Sequence, residues 1–148
     1  MTIMTALTAL LLLVPVLADD VADRAKLLGS WQRQDDSGKE ATVWILEVKG
    51  MALHLSESLG NHKVSEFECV PKGAECEGTI EGKKAQVTMY YDGPALVQLE
   101  TNGSDVTKRR FIVTGQPDMI EIEIMPILGV AKAETLHLKR IKVSAESR

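Results

Sequence analysis

Strict alternation of apolar and polar residues is the feature that most restricts how this chain can fold. The stretch MIEIEIM places Ile120, Ile122 and Ile124 on one phase, with a glutamate between each neighbouring pair. A period of two residues is that of a β-strand with one buried face, whereas a helix repeats about every 3.6 residues. The stretches TLHLKR, KAQVTMYY and MALHLSE alternate in the same way. The chain is therefore predicted to be mostly β-structure.

Turn-forming residues separate these alternating stretches at short intervals. The dipeptides Gly60-Asn61, Asp92-Gly93 and Asn102-Gly103 all suit the connection of a β-hairpin. The spacing predicts about ten short strands, near residues 30–35, 41–49, 51–58, 62–70, 75–81, 84–91, 95–102, 107–114, 119–126 and 134–142. Because nearly every connection is short, consecutive strands are expected to form antiparallel hairpins.

An antiparallel meander with one apolar face leaves two exposed edge strands unless it closes on itself. We therefore predict an all-β, up-and-down barrel of about eight to ten strands. A two-sheet sandwich is the alternative, but it requires long crossover connections, for which PILGVAKAE is the one candidate. A short N-terminal helix is expected in DDVADRAKLLG, because two acidic residues open it and Gly29 ends it.

The N-terminal stretch MTIMTALTALLLLVPVLA contains no charged residue and has an apolar core too short to span a bilayer comfortably. Val16 and Ala18 occupy the two positions that signal peptidase reads. We expect residues 1–18 to be a signal peptide cleaved after Ala18, and residues 19–148 to form one exported barrel domain. An uncleaved anchor is the alternative, and the destination is either the periplasm or the extracellular space.

The charge and the motifs exclude several functional classes. The formal net charge of −4 gives no basic surface for nucleic acid, and the mature chain has no apolar segment long enough to span a membrane. His54, His62 and His137 are predicted on different strands, so no metal site is expected. Nucleophile-elbow and nucleotide-binding glycine patterns do not occur. We expect neither enzymatic activity nor a cofactor.

The two cysteines of the chain lie in the stretch FECVPKGAECEG. A two-residue turn at Lys72-Gly73 would place Cys69 directly opposite Cys76 on paired strands, whereas a bulge at Gly73 would offset them. In an exported protein such a pair is predicted to form a disulfide. The spacing does not fit a redox motif or a zinc site, so the bridge is expected to staple one hairpin.

Two stretches at opposite ends of the mature chain carry a family resemblance. LLGSWQRQ places Gly29 and Trp31 at the start of the first predicted strand, and LHLKRI places Arg140 on the last. This arrangement resembles that of the calycins, the group of lipocalins and fatty-acid-binding proteins. The resemblance implies that Arg140 packs over Trp31 and that both, with Gly29, close one end of a barrel. The mature chain is also similar to small lipocalin-like proteins that bacteria export.

The sequence departs from both calycin families. YYDG is the nearest match to the Thr-Asp-Tyr-like stretch of lipocalins, and it does not fit that pattern. DDSGKEA is too short for the two helices that fatty-acid-binding proteins carry after their first strand. The resemblance therefore bears on the architecture more than on the ligand.

The predicted barrel interior is the best candidate for a functional site. The apolar phases of the strands place inside the barrel, among others, Trp44, Leu46, Val48, Phe67, Met89, Val97, Leu99, Phe111 and Leu138. Arg109 shares the phase of Phe111, and Tyr91 shares the phase of Met89, so together they would hold a carboxylate head group. The alternatives are that Arg109 lies on the surface, or that side chains fill the barrel completely.

These observations predict an exported barrel that binds a small apolar or amphipathic molecule. The predicted ligand-binding residues are Arg109, Tyr91, Trp44, Phe111 and Met89. The alternative function is that of a ligand-free structural or protein-interaction module of the cell envelope or the extracellular space.

Overall fold

The computed structural model describes residues 16–36, 40–129 and 132–142. Residues 1–15, which hold most of the predicted signal peptide, lie outside the described residues. Within the described part, one helix precedes ten strands. The elements are α1 (Val16–Lys26), β1 (Gly29–Arg33), β2 (Thr42–Lys49), β3 (Ala52–Leu59), β4 (His62–Cys69), β5 (Lys72–Ile80), β6 (Lys83–Asp92), β7 (Ala95–Asn102), β8 (Asp105–Val113), β9 (Met119–Leu128) and β10 (Glu134–Ile141).

Every strand pairs with the next one along the chain in antiparallel register, and β1 also pairs with β10. The sheet is thus a closed barrel, and closure removes both of the edges that an open meander would expose. The predicted up-and-down barrel with a short N-terminal helix is confirmed, and the sandwich alternative is excluded. Each of the ten predicted strands overlaps an observed one.

The barrel has two ends, which we name by what lies there. The mouth is the end where β1 ends and β2 begins, and its described connecting residues are 34–36, 40–41, 60–61, 81–82, 103–104, 129 and 132–133. The helix end is the opposite one, with the connections at residues 50–51, 70–71, 93–94 and 114–118, and it is covered by α1.

The β4–β5 hairpin carries a disulfide close to the helix end. Phe67 pairs with Gly78, and the same register, extended by two residues, sets Cys69 opposite Cys76. The two cysteines are bonded, with their Cα atoms 5.8 Å apart. A bulge does occur in β5, but it lies in the pairing with β6 and therefore leaves the β4–β5 register intact. The predicted disulfide is confirmed.

A continuous apolar core fills the barrel from the helix end to its middle. Its buried side chains include Leu27, Trp31, Trp44, Leu46, Leu55, Phe67, Met89, Leu96, Phe111, Ile120, Ile122 and Leu138. Val48 was expected to join them, but it is 55% exposed. The reason is that β1 begins opposite Leu46, so no part of β1 covers Val48.

The prediction for β7 had the wrong face inside. Val97 and Leu99 were expected to face the interior, whereas Leu96, Gln98 and Glu100 do so. The register with the neighbouring strands explains the difference, because Gln98 pairs with two inward-facing residues, Met89 on β6 and Arg109 on β8. The sequence ALVQLE is apolar on both phases near its start, so alternation alone did not determine the buried face.

Trp31 joins α1 to the barrel at the helix end. Its indole Nε1 donates a hydrogen bond of 2.9 Å to the carbonyl oxygen of Leu27, in the turn that ends the helix. The Arg140 guanidinium of β10 lies over the Trp31 ring, 4.2 Å from its centroid. Trp31 and Leu27 are both almost fully buried, so this contact seals the barrel against solvent.

Arg140 completes the same closure through its other donors. Its Nη1 donates to the carbonyl of Leu28 at 2.8 Å and its Nη2 to that of Lys26 at 3.0 Å, while Nε donates to Oδ1 of Asp118 at 2.9 Å. Gly29 allows this approach, because a Cβ there would overlap the guanidinium and its φ is +136°. The three residues of the calycin-like pattern thus meet at one place.

Candidate ligand-binding site

The mouth opens into a cavity of about 430 Å³ that reaches the inner face of the barrel. Ligand pockets in proteins commonly measure about 300–1,000 Å³, so this volume suits a small molecule. Its wall is formed by Trp44, Glu57, Arg109, Ile124 and Leu136, and its rim by Arg33, Thr42, Thr107, Lys132 and Glu134.

Three of the predicted ligand-binding residues are in mutual reach at this cavity. The rings of Trp44 and Phe111 meet edge to face, with centroids 5.8 Å apart and planes at 71°. The Arg109 guanidinium lies 6.0 Å from the centroid of the Trp44 ring. Met89 is fully buried and lies level with Arg109, with Gln98 between them on β7. Of these side chains, Trp44 and Arg109 line the cavity, and Phe111 and Met89 lie buried behind them.

Arg109 is not free to bind a ligand carboxylate, because it already forms an ion pair with a carboxylate of the protein. Its Nη1 donates to Oε2 of Glu100 at 2.6 Å, and the two side chains are only 16% and 10% exposed. A buried cation requires such a partner. Glu100 faces inward because it shares the phase of Gln98, which β7 turns toward the interior.

Glu57 is a second carboxyl group near this ion pair. It pairs with Trp44 on β2 and with Ser65 on β4, so it belongs to the inner face near the mouth. Burial raises the pKa of Glu57 to about 7, Arg109 opposes this rise, and Glu100 adds to it. At neutral pH the Glu57 carboxyl is therefore divided between its neutral and ionised forms.

The same region holds buried polar atoms that have no hydrogen-bond partner among the described residues. They are Nε1 of Trp44, Nε of Arg109 and both polar atoms of the Gln98 carboxamide. Gln98 is only 1% exposed and lies directly across from Arg109. Unpaired buried polar groups are costly and rare in folded proteins. Four such atoms lie together here, two on residues of the cavity wall and two on Gln98 next to Arg109.

Tyr91, the fifth predicted ligand-binding residue, is not brought to Arg109. It pairs with Leu96 on β7, two positions nearer the helix end than the partner of Arg109. The Arg24 guanidinium of α1 lies over the Tyr91 ring at 4.5 Å and also donates to the Gly93 carbonyl at 2.8 Å. Tyr91 therefore helps to dock the helix, and the expected Arg–Tyr head-group site is not formed.

Sequence reasoning missed three members of the site, Glu57, Gln98 and Glu100. A signal for Glu57 was present, because it shares the phase of Leu53 and Leu55 in MALHLSE. No such signal existed for the two β7 residues, whose orientation depends on the register of β7 with its neighbours.

The connection between β1 and β2 does not cover the mouth with a helix in its described part. Residues 34–36 and 40–41 form turns and extended chain, and the one helix among the described residues precedes β1 instead. Among the described residues no cluster of three or more His, Cys, Asp or Glu side chains is arranged to bind a metal ion. No helix in the described part of the chain is long and apolar enough to cross a membrane.

Comparisons with known proteins agree with this architecture. No protein-family model matches the sequence, and no curated protein matches it either. Solved structures do match. A secretory abundant heat soluble protein of Ramazzottius varieornatus is 17% identical, with a TM-score of 0.64 over 78% of this chain and 96% of that one.

Two further matches have names that mention fatty acids. The REP1-NXSQ fatty acid transporter is 16% identical, with a TM-score of 0.62 over 81% of this chain and 99% of that one. Fatty-acid-binding protein 1 of Echinococcus granulosus is 9% identical, with a TM-score of 0.63 over 80% of this chain and 99% of that one. At these identities the likeness establishes a closed β-barrel fold shared with these proteins, and the ligand has to be argued from the cavity.

Proposed function

We propose that this protein is an exported calycin barrel that binds a small apolar or amphipathic molecule through its mouth. The observation that carries the proposal is the mouth cavity, which places Trp44, Ile124 and Leu136 beside buried, unpartnered polar atoms. Small-molecule sites are typically concave and mostly apolar, with a few polar groups that fix orientation. The proposed role is binding or transport, without catalysis.

The structural matches favour the same class of ligand. Two of the barrels that this chain resembles are named as a fatty acid transporter and a fatty-acid-binding protein. A molecule with an alkyl chain also suits Ile124 and Leu136, the aliphatic side chains of the cavity wall.

The floor of the cavity limits the length of this ligand. Met89 and Phe111 are almost fully buried, Met89 level with Arg109 and Phe111 two residues nearer the helix end. Met89 is unbranched and flexible, so a change of rotamer extends the cavity toward the helix end without moving the backbone. We therefore expect a single-chain molecule rather than a rigid, bulky one.

The two tryptophans allow a direct test, because the chain contains only these two. They pair with each other on β1 and β2, but Trp44 lines the mouth cavity and Trp31 lies under Arg140. Trp31→Phe leaves Trp44 as the single indole fluorophore, and Trp44→Phe leaves Trp31 as the matched control. Titration with 1-dodecanol is expected to change the emission of Trp44 and to change that of Trp31 much less.

Two results would count against the proposal. Equal changes at both tryptophans would indicate a general effect on the fold rather than entry through the mouth. No change at either, together with no co-purifying molecule in native mass spectrometry of protein from its own host, would favour the ligand-free module.

Export is part of the proposed function and is tested separately. Intact mass of protein from its own host is expected to give a chain that begins at Asp19 and contains the Cys69–Cys76 bridge. A chain that retains residues 1–18, or one with two alkylatable thiols, would contradict the proposed export.

A further inference from the structure

This inference rests on the proposed ligand-binding function and concerns the head group of the ligand. The mouth of the barrel holds one buried guanidinium, that of Arg109, and two inward-facing carboxyl groups, those of Glu57 and Glu100. The formal charge of this cluster is zero when Glu57 is protonated and −1 when it is ionised. In neither state does this buried cluster carry a positive charge for a ligand. At the rim above it, Arg33 is paired with Asp35, and Lys132 and Glu134 carry opposite charges.

A carboxylate head group therefore meets an unfavourable environment at this depth. To reach Arg109 it has to displace Glu100, which leaves that carboxylate buried without its partner. If Glu100 stays bound, the ligand places a further negative charge beside Glu57 and Glu100. Burying an unpaired charge, or two like charges together, is strongly disfavoured in a shielded site.

The unpartnered polar atoms of the mouth suit an uncharged head group better than a carboxylate. Trp44 Nε1 and Arg109 Nε are donors, and the Gln98 carboxamide offers both a donor and an acceptor. A hydroxyl group has one donor and two acceptor sites, so it is able to accept from the indole or the guanidinium and donate to Gln98. It does so without adding charge and without disturbing the Arg109–Glu100 pair.

We propose that the mouth selects a single-chain amphiphile with an uncharged hydroxyl head group, and that the Arg109–Glu100 ion pair excludes carboxylates. Gln98 and Trp44 are the residues that recognise the hydroxyl group. Arg109 acts through its remaining Nε donor, and Glu100 determines specificity by neutralising the guanidinium.

Three ligands of equal chain length test the proposal: 1-dodecanol, dodecanoate and dodecylammonium. Each is titrated at pH 8 into the full mature chain, with Trp44 emission or calorimetry as the measurement. The wild type is expected to bind the alcohol at least about tenfold more tightly than dodecanoate or dodecylammonium. The reason is that a charged head group either breaks the Arg109–Glu100 pair or is buried without a partner of opposite charge.

The decisive variant is Glu100→Gln, which removes the partner of Arg109 and keeps the size of the side chain. Dodecanoate affinity should rise about tenfold or more, while the affinity for dodecanol stays within about threefold. The matched control is Glu123→Gln. It breaks the ion pair between Arg110 on β8 and Glu123 on β9, which measures 2.9 Å and lies on the outer face of the barrel. This control should change neither affinity.

A second variant covers the case in which Glu100→Gln fails to fold. Gln98→Met keeps the volume of the side chain and removes its hydrogen-bonding groups. It should weaken dodecanol by about threefold to tenfold and leave dodecanoate unchanged.

The outcomes separate this inference from the proposed function. If the wild type binds dodecanoate as tightly as dodecanol, or if Glu100→Gln leaves their ratio unchanged, the inference is wrong and the ligand-binding function stands. Tightest binding of dodecylammonium would instead identify a cation site and overturn the inference in the same way. Failure of the wild type to bind all three would remove the proposed function together with the inference.

Discussion

The polar groups at the two ends of the barrel differ in whether they have hydrogen-bond partners. At the helix end, the Trp31 indole and all three donor nitrogens of Arg140 have protein partners between 2.8 and 3.0 Å away. At the mouth, Trp44 Nε1, Arg109 Nε and the Gln98 carboxamide have none among the described residues. Trp31 and Trp44 pair with each other on β1 and β2 and each lies near an arginine, but only Trp31 and Arg140 are complete without a guest.

This contrast assigns stability to the helix end and binding to the mouth. Fully paired polar groups make a unique, rigid closure, whereas unpaired ones lower stability until something satisfies them. Natural proteins commonly accept such a loss of stability at functional sites. The predictions below test this division of roles, from the largest expected effect to the smallest.

The largest effect is expected from Trp31→Ala. It should lower the free energy of unfolding by about 3–5 kcal/mol, because it empties a buried site and also removes the surface on which Arg140 lies. Urea unfolding followed by circular dichroism measures this change.

A double-mutant cycle provides the control for that experiment. Trp31→Ala and Arg140→Ala are expected to be non-additive by about 0.5–3 kcal/mol, as residues in contact usually are. Full additivity would mean that the cation–π contact contributes nothing to the helix end.

Glu57 should make the stability of the mouth depend on pH. Its pKa is about 7 in the folded protein against an ordinary value of 4.5, so between these values the folded state keeps a proton that the unfolded state has released. Its contribution to stability is fully present below pH 4.5 and is lost as pH rises through 7. Glu57→Gln should therefore stabilise the protein above pH 7 by up to about 3 kcal/mol and have little effect in acid.

The matched control for this prediction is Glu47→Gln, since Glu47 lies exposed on β2. It should leave the pH profile of the wild type unchanged. Parallel profiles for the wild type and Glu57→Gln would show that the carboxyl titrates normally.

The disulfide lies toward the helix end, so its loss should affect stability and leave binding intact. Cys69→Ala combined with Cys76→Ala is expected to cost about 2.5 kcal/mol, the value that chain entropy gives for so short a loop. Chemical unfolding measures the loss, and titration with dodecanol tests the mouth. A parallel loss of affinity would contradict the independence of the two ends.

Gly29→Ala should have the smallest effect, about 1–2 kcal/mol. The positive φ strains any residue with a Cβ, and the methyl group displaces the Arg140 guanidinium from its place. Gly103→Ala is the control, since it also has a positive φ but no atom within 4 Å of the added Cβ. Equal losses for the two variants would indicate that the approach of Arg140 contributes nothing.

The architecture was predictable from the sequence because its signals are local. β9 and β10 alternate without interruption, and the turns between strands carry glycine and asparagine at short intervals. The helix-end residues Gly29, Trp31 and Arg140 were singled out by a family pattern, and the structure brings them together.

The chemistry of the mouth was less predictable because it depends on contacts between strands that are distant in sequence. The inward position of Arg109 followed from its phase with Phe111, but its pairing with Glu100 depends on the face that β7 turns inward. The placement of Tyr91 required knowledge of where α1 docks, since Arg24 covers it. An expected anchor for carboxylates thus became, in three dimensions, a neutralised ion pair.

The pairing of β1 with β10 has a consequence for how the protein folds. The bond between Arg140 and the Leu28 carbonyl joins positions 112 residues apart, so the last step of closure requires nearly the whole chain. Contacts of such long sequence separation slow folding, whereas each hairpin is able to form from a short segment. A chain that is still being synthesised therefore lacks this closing contact until β10 is complete.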